Sequence, residues 1–214
     1  MFIAAVLVCA LSSAALLVAE SRGSRSGVWV FKPLAAAAFI AAAVAADATA
    51  TTYGAWILTG LVLSMGGDVA LIPKESPAAF LAGISSFLLG HVAYAVAFAS
   101  VGVSVPAAAV TAVVMTAFSV AVLRWLLTHL EGPFRIAVPV YTAVIGTMVV
   151  LAVGMSVAGG WTLPAVGAVL FAVSDVSVAR DRFVEETTTN KYWGLPMYFG
   201  GQLVLAASIL EVAA

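Results

Sequence analysis

Apolar residues run along this chain in long unbroken blocks, parted by short polar or glycine-containing breaks. A helix needs ~20 apolar residues to cross ~30 Å of hydrocarbon. Eight blocks qualify: Phe2–Ala19, Val28–Ala46, Tyr53–Ile72, Ala78–Ser100, Val105–Leu127, Phe134–Ala158, Trp161–Ala179 and Gly194–Ala213. Barrel strands would alternate apolar with polar positions, and these blocks do not. The pattern predicts an all-α polytopic membrane protein in which residues 1–214 form a single domain of eight transmembrane helices.

Charge supports that count. The nine basic residues are Arg22, Arg25, Lys32, Lys74, Arg124, Arg135, Arg180, Arg182 and Lys191. All lie in or near the connections between spans 1–2, 3–4, 5–6 and 7–8. One missed span would scramble that alternation. By the positive-inside rule these connections face the cytoplasm and both termini face outward. Trp29, Trp56, Trp125, Trp161 and Trp193 fall near span ends, as interfacial anchors do.

Composition narrows the function classes. Hydrophobic residues make up 64% of the chain and charged ones 9%, against about 25% charged in a soluble domain. The formal net charge is −1 and no basic block exists, so nothing favours nucleic-acid binding. The lone Cys9 cannot form an internal disulfide, and no Cys/His spacing suggests zinc. The first apolar block has a signal peptide's length, but its positive charges, Arg22 and Arg25, follow it. It reads as an uncleaved first span.

The informative residues are those that are costly to bury. A carboxylate at mid-bilayer costs ~2.5–3.5 kcal/mol on insertion scales and marks function by default. Asp68 lies about one turn from the inner end of span 3, and Asp175 lies at matching depth in span 7. Either could alternatively reach water or a nearby arginine such as Arg180. Around them, "GGDVALIPK" and "VSDVSVARD" stand half a chain apart. One reading is a parallel repeat of two four-span halves. His91 lies well inside span 4, and Tyr94 shares its face three positions on. Gln202 takes the corresponding place in span 8. Packing or interhelical hydrogen bonding would explain His91 and Gln202 equally well. Lys32 precedes Pro33 in what reads as the first turn of span 2, where snorkelling is the bland explanation. The sharper one aims Lys32 at a lipid phosphate, with Asn190, Lys191 and Tyr192 between spans 7 and 8 joining a head-group site. Asp47 and Glu211 read as solvated outer-end charges.

Taken in order, "FKPL" (31–34), "GGDVAL" (66–71), "FLLGHVAY" (87–94), "GAVLFAVSD" (167–175) and "YFGGQLV" (198–204) resemble the YhhN/TMEM86 family of membrane proteins, whose characterised members are lysoplasmalogenases. The resemblance covers nearly the whole chain. It implies hydrolysis of the vinyl-ether bond of a lysoplasmalogen to a fatty aldehyde and a glycerophospho-alcohol, with a lysophospholipid as substrate. Carried onto matching positions, the family's aspartates are Asp68 and Asp175. The long "RDRFVEETTTNKYW" connection departs from some members and leaves the head group open.

The residues suit that chemistry. A vinyl ether resists base and hydrolyses by protonation on carbon, through an oxocarbenium ion. The site must supply a proton donor and a negative charge beside the developing cation. Two carboxyls in a poorly hydrated site provide both, one retaining its proton while the other stays ionised. Glycosidase carboxyl pairs face a similar cation. The scheme requires no metal or cofactor. The competing reading is a proton-coupled transporter of a small solute or lipid using the same aspartates as a relay. A third is a structural membrane subunit without chemistry.

Overall fold

A computed structural model describes residues 1–73 and 75–213, so Lys74 lies outside the described residues. Among these the chain forms eight long helices and no strand: α1 (Phe2–Ser21), α2 (Arg25–Ala45), α3 (Thr52–Ala70), α4 (Pro77–Val101), α5 (Val105–Leu126), α6 (Phe134–Gly159), α7 (Leu163–Ala179) and α8 (Thr188–Ala213). A 3-10 turn, Ala48–Ala50, joins α2 to α3, and a π-helical turn, Arg180–Val184, continues α7. The protein is a polytopic helical membrane protein. In hydrocarbon every backbone amide must find its partner within the segment, which is why apolar runs become helices.

Among the described residues seven helices are long and apolar enough to cross a membrane. The other, α3, has 19 residues but is diluted by Gly60, Ser64, Gly66, Gly67 and Asp68. That composition has a packing cause. A Cβ at Gly60 would overlap the Tyr94 ring of α4, and one at Gly67 the Phe87 ring. Small residues let helices approach where no water drives them together. Accordingly α3 with α4, and α7 with α8, are the most closely packed hairpins, and α8 also touches α1, α2 and α3. Helix α5 packs chiefly on α6.

Caps fix several helix starts. The Ser24 Oγ accepts from Gly27 N–H at 3.3 Å, Thr51 Oγ1 from Gly54 N–H at 3.0 Å and Ser76 Oγ from Ala79 N–H at 3.2 Å. Each satisfies an amide the helix leaves unpaired. The Glu211 carboxylate, expected to be merely solvated, instead takes the Thr162 and Leu163 amides at 3.0 and 2.8 Å. It ties the end of α8 to the start of α7.

Two helix starts differ from the sequence expectation. Helix α2 opens at Arg25, so Pro33 lies inside it rather than in its first turn. Helix α8 opens at Thr188, so Asn190, Lys191 and Tyr192 are its opening turns and not a loop. An apolar-run criterion stops at polar side chains, whereas helical hydrogen bonding does not.

The helix ends carrying the basic residues converge. Arg25 pairs with Glu75. Lys191 at the start of α8 lies 3.4 Å from Glu20 at the end of α1. Arg182 stacks 4.3 Å above the Phe80 ring. Toward the middle of the bundle lies an aromatic core that includes Phe39, Phe87, Tyr94, Phe98, Phe171, Tyr198 and Phe199.

Candidate functional site

Asp68 comes from the last turn of α3 and is 2% exposed. Both of its oxygens are engaged. Lys32 Nζ of α2 lies 3.4 Å from Oδ1, and Tyr198 Oη of α8 donates to Oδ2 at 2.6 Å. The early start of α2 explains this: Lys32 sits in its third turn, facing α3, not at a frayed end reaching for water. A buried ammonium is costly alone, and the approach of Lys32 places its countercharge against Asp68.

Asp175, in the last turns of α7, has different company. Tyr141 Oη of α6 donates to its Oδ2 at 2.9 Å, and His91 Nε2 of α4 faces the same oxygen at 3.4 Å. Among the described residues its close ionisable neighbour is His91, a cation only when protonated. His91 Nδ1 lies 2.7 Å from the Phe87 carbonyl one turn earlier. A carbonyl only accepts, so Nδ1 carries the hydrogen and Nε2 points its remaining site at Asp175. The alternative arginine, Arg180, goes instead to Asn190 Oδ1 at 3.0 Å and Glu185 at 3.3 Å.

The two acids line one cavity of about 550 Å³, together with Lys32, Tyr141 and Tyr198. That volume falls within the range of small-molecule sites. The cavity reaches a charged end of mixed sign at Glu20, Glu75, Asp181, Arg182, Glu186 and Lys191, and runs along α5 and α6 past Met115, Phe118, Ser119 and Ile145. Its wall is therefore charged at one end and apolar along a side, which matches an amphiphile. Phe171 of α7 stands behind the acids. Its ring centroid is 4.4 Å from that of His91 and 5.3 Å from that of Tyr198.

Of the residues singled out from sequence, the fold brings together Asp68, Asp175, Lys32 and His91. Tyr94 donates to Gln202 Oε1 at 2.7 Å, a buried cross-link between α4 and α8 outside the cavity lining. Asn190 is fully buried and gathers the α7–α8 connection, donating to Asp181 Oδ1 at 3.1 Å and to the Glu185 carbonyl at 2.8 Å. Tyr192 is 54% exposed and lies outside the cavity lining. The sequence reading missed Tyr141 and Tyr198, the hydroxyl donors to the two acids. Their one signal was a polar-tipped ring inside an apolar run.

Fold and cavity together define a helical membrane bundle that carries one buried and one partly exposed carboxyl on a shared cavity, each accepting from a tyrosine hydroxyl. The chain belongs to the YhhN family, which it matches over residues 27–209. It is 34% identical over 161 residues to lysoplasmalogenase TMEM86A of Bos taurus, covering 72% of this chain and 65% of that protein, with the same figures for the Homo sapiens protein. It is 34% identical over 168 residues to a lysoplasmalogenase of Mycobacterium tuberculosis, covering 74% of this chain and 59% of the relative. The chain thus spans somewhat under two thirds of the length of these relatives. No solved structure matches it.

Proposed function

We propose that this protein hydrolyses the vinyl-ether bond of a lysoplasmalogen, releasing a fatty aldehyde and a glycerophospho-alcohol. The observation that carries the reading is the placement of Asp68 and Asp175 on one cavity that has a charged end and an apolar side. The names of the relatives support it. A lysolipid enters with its phosphate at the charged end, beside the cations Lys191 and Arg182, and its alkenyl chain along α5 and α6. That pose sets the ether bond just inside the head-group region, at the level of the acids. By the positive-inside rule the basic end faces the cytoplasm and both termini face the other side.

One carboxyl protonates the alkenyl carbon, and the other stabilises the oxocarbenium ion that results. Water adds, and the hemiacetal collapses to aldehyde and alcohol. The Tyr141 and Tyr198 hydroxyls hold the two carboxyls in fixed orientations against the cavity.

The test is aldehyde release by purified protein in detergent from choline and ethanolamine lysoplasmalogens, beside Asp68→Asn and Asp175→Asn. Aldehyde from the wild type and its loss in both variants, with folding intact, is the expected result. No aldehyde from well-folded wild type with either head group would overturn the reading and return the same acids to proton-coupled transport.

A further inference from the structure

Resting on that reading, the geometry points to unequal roles for the two acids: Asp175 is the group that delivers the proton, with His91 behind it as a positioning residue that holds the proton on the pair, while Asp68 is the permanent anion. The surroundings of the two carboxyls differ in kind. Asp68 has a full countercharge in Lys32 at 3.4 Å and a hydroxyl donor at 2.6 Å, both of which favour its ionised form. A carboxylate so held is a poor proton donor and a good partner for a developing cation.

Asp175 faces an imidazole whose protonation pattern is set from the other side. With Nδ1–H committed to the Phe87 carbonyl, neutral His91 presents a lone pair to Asp175 Oδ2. A lone pair against a carboxylate oxygen is repulsive. One proton resolves it, residing on Oδ2 or on Nε2. In the one form Asp175 is a neutral acid hydrogen-bonded to imidazole, and in the other the pair is carboxylate and imidazolium. Both forms hold one movable proton beside the cavity. His91 Nε2, fully buried, finds no closer hydrogen-bond partner than this 3.4 Å approach. The Tyr141 hydroxyl donates to the same oxygen and fixes its position.

The step balances. The Asp175 proton goes to the alkenyl carbon, the C=C π pair forms the new C–H bond, and the ether oxygen shares the positive charge with the adjacent carbon. Asp68 compensates that charge. Water adds to the carbon and returns a proton to the Asp175–His91 pair. The hemiacetal then loses its hydroxyl proton as the glycerol oxygen gains one, so the pair ends as it began. His91 touches neither substrate nor water in this sequence.

The other titratable groups around the pair are Tyr141 from α6 and, on the cavity wall, Asp68 of α3 with Lys32 of α2 and Tyr198 of α8. The decisive experiment is the pH–rate profile of His91→Gln beside wild type. Removing the imidazole leaves the carboxyl to keep its proton alone. The alkaline fall in kcat should therefore move to lower pH by ~1 unit or more, and kcat at neutral pH should drop ~10- to 100-fold with KM within about twofold, a part of the ~10²–10⁴ that general acid catalysis contributes. A merely structural histidine would lower the yield of folded protein or raise KM without moving the profile. An unmoved profile in folded His91→Gln overturns the inference. Where that variant fails to fold, 15N-histidine NMR of His129→Gln, which leaves His91 alone, decides. Nδ1 should stay protonated throughout while Nε2 titrates over the pH range in which activity falls. The opposite tautomer overturns the inference. Wild-type aldehyde release is unaffected by any of these outcomes, so failure here is distinct from failure of the proposed function.

Discussion

Replacing Asp68 with asparagine does more than delete a carboxylate. Lys32 Nζ is 3.4 Å from that carboxylate and its side chain is 14% exposed. In Asp68→Asn the cavity wall keeps an ammonium whose countercharge is gone. A positive charge about 5 Å from a developing oxocarbenium ion, at an effective dielectric of ~20, is unfavourable by about 3 kcal/mol, and the lost attraction to the carboxylate is of the same order. Lys32 also lines the cavity, so solvent reaching its ammonium screens part of both terms. A net rise of ~3 kcal/mol in the barrier lowers kcat about 10²-fold. Removing the ammonium as well, in Lys32→Met/Asp68→Asn, relieves the repulsion and restores a neutral wall. The expected order is wild type, then the double variant, then Asp68→Asn, the last two separated by ~10-fold. Stability moves in parallel for a separate reason. Breaking one side of a buried ion pair costs ~3–5 kcal/mol, whereas replacing both sides by uncharged groups of similar size is often neutral. The assay must therefore report aldehyde release per folded molecule, with the monodisperse fraction and thermal midpoint measured on the same samples. A double variant that regains stability but is no more active per folded molecule than Asp68→Asn would refute the charge argument. It would show that Asp68 acts by contact.

Two further expectations concern the cavity wall and the fold. Ser119→Trp fills the apolar side of the cavity, so kcat/KM should fall by ~10-fold or more for long-chain alkenyl substrates and much less for short ones, by competition kinetics with a chain-length series; equal loss for both would refute the chain path along α5. Glu211→Gln weakens the carboxylate cap at the start of α7, so stability should fall by ~1 kcal/mol and the thermal midpoint by about 2–4 °C, with kcat unchanged.

How far the sequence announced this arrangement varies by residue. The eight apolar runs became eight helices because a membrane leaves the backbone no other inexpensive form. Asp68, Asp175 and His91 stood out for the same reason, since each is costly to bury without a purpose or a partner. Which partner was not legible. Lys32 looks like a snorkelling residue in one dimension, and only the rotation of α2 against α3 turns it inward. Tyr141 and Tyr198 resemble any interfacial tyrosine until α6 and α8 aim their hydroxyls at the acids. Asn190 reads as a head-group contact among polar neighbours, yet the turn after α7 folds it back to bind Arg180, Asp181 and the Glu185 carbonyl. These placements depend on helix rotation and on one irregular connection, neither of which leaves a periodic trace.

Phe171 has a consequence of its own. Its ring packs against both His91, which faces Asp175, and Tyr198, which donates to Asp68, and a hydrocarbon ring carries no proton between them. It interrupts the proton path between two hydrogen-bonded circuits, although charge on one is still felt by the other through space. Were the circuits joined by a hydrogen bond, the carboxyls would share one proton and neither would be free to give it up or to remain a full anion. In the proposed scheme, hydrocarbon at that position keeps the proton of one carboxyl from passing to the other.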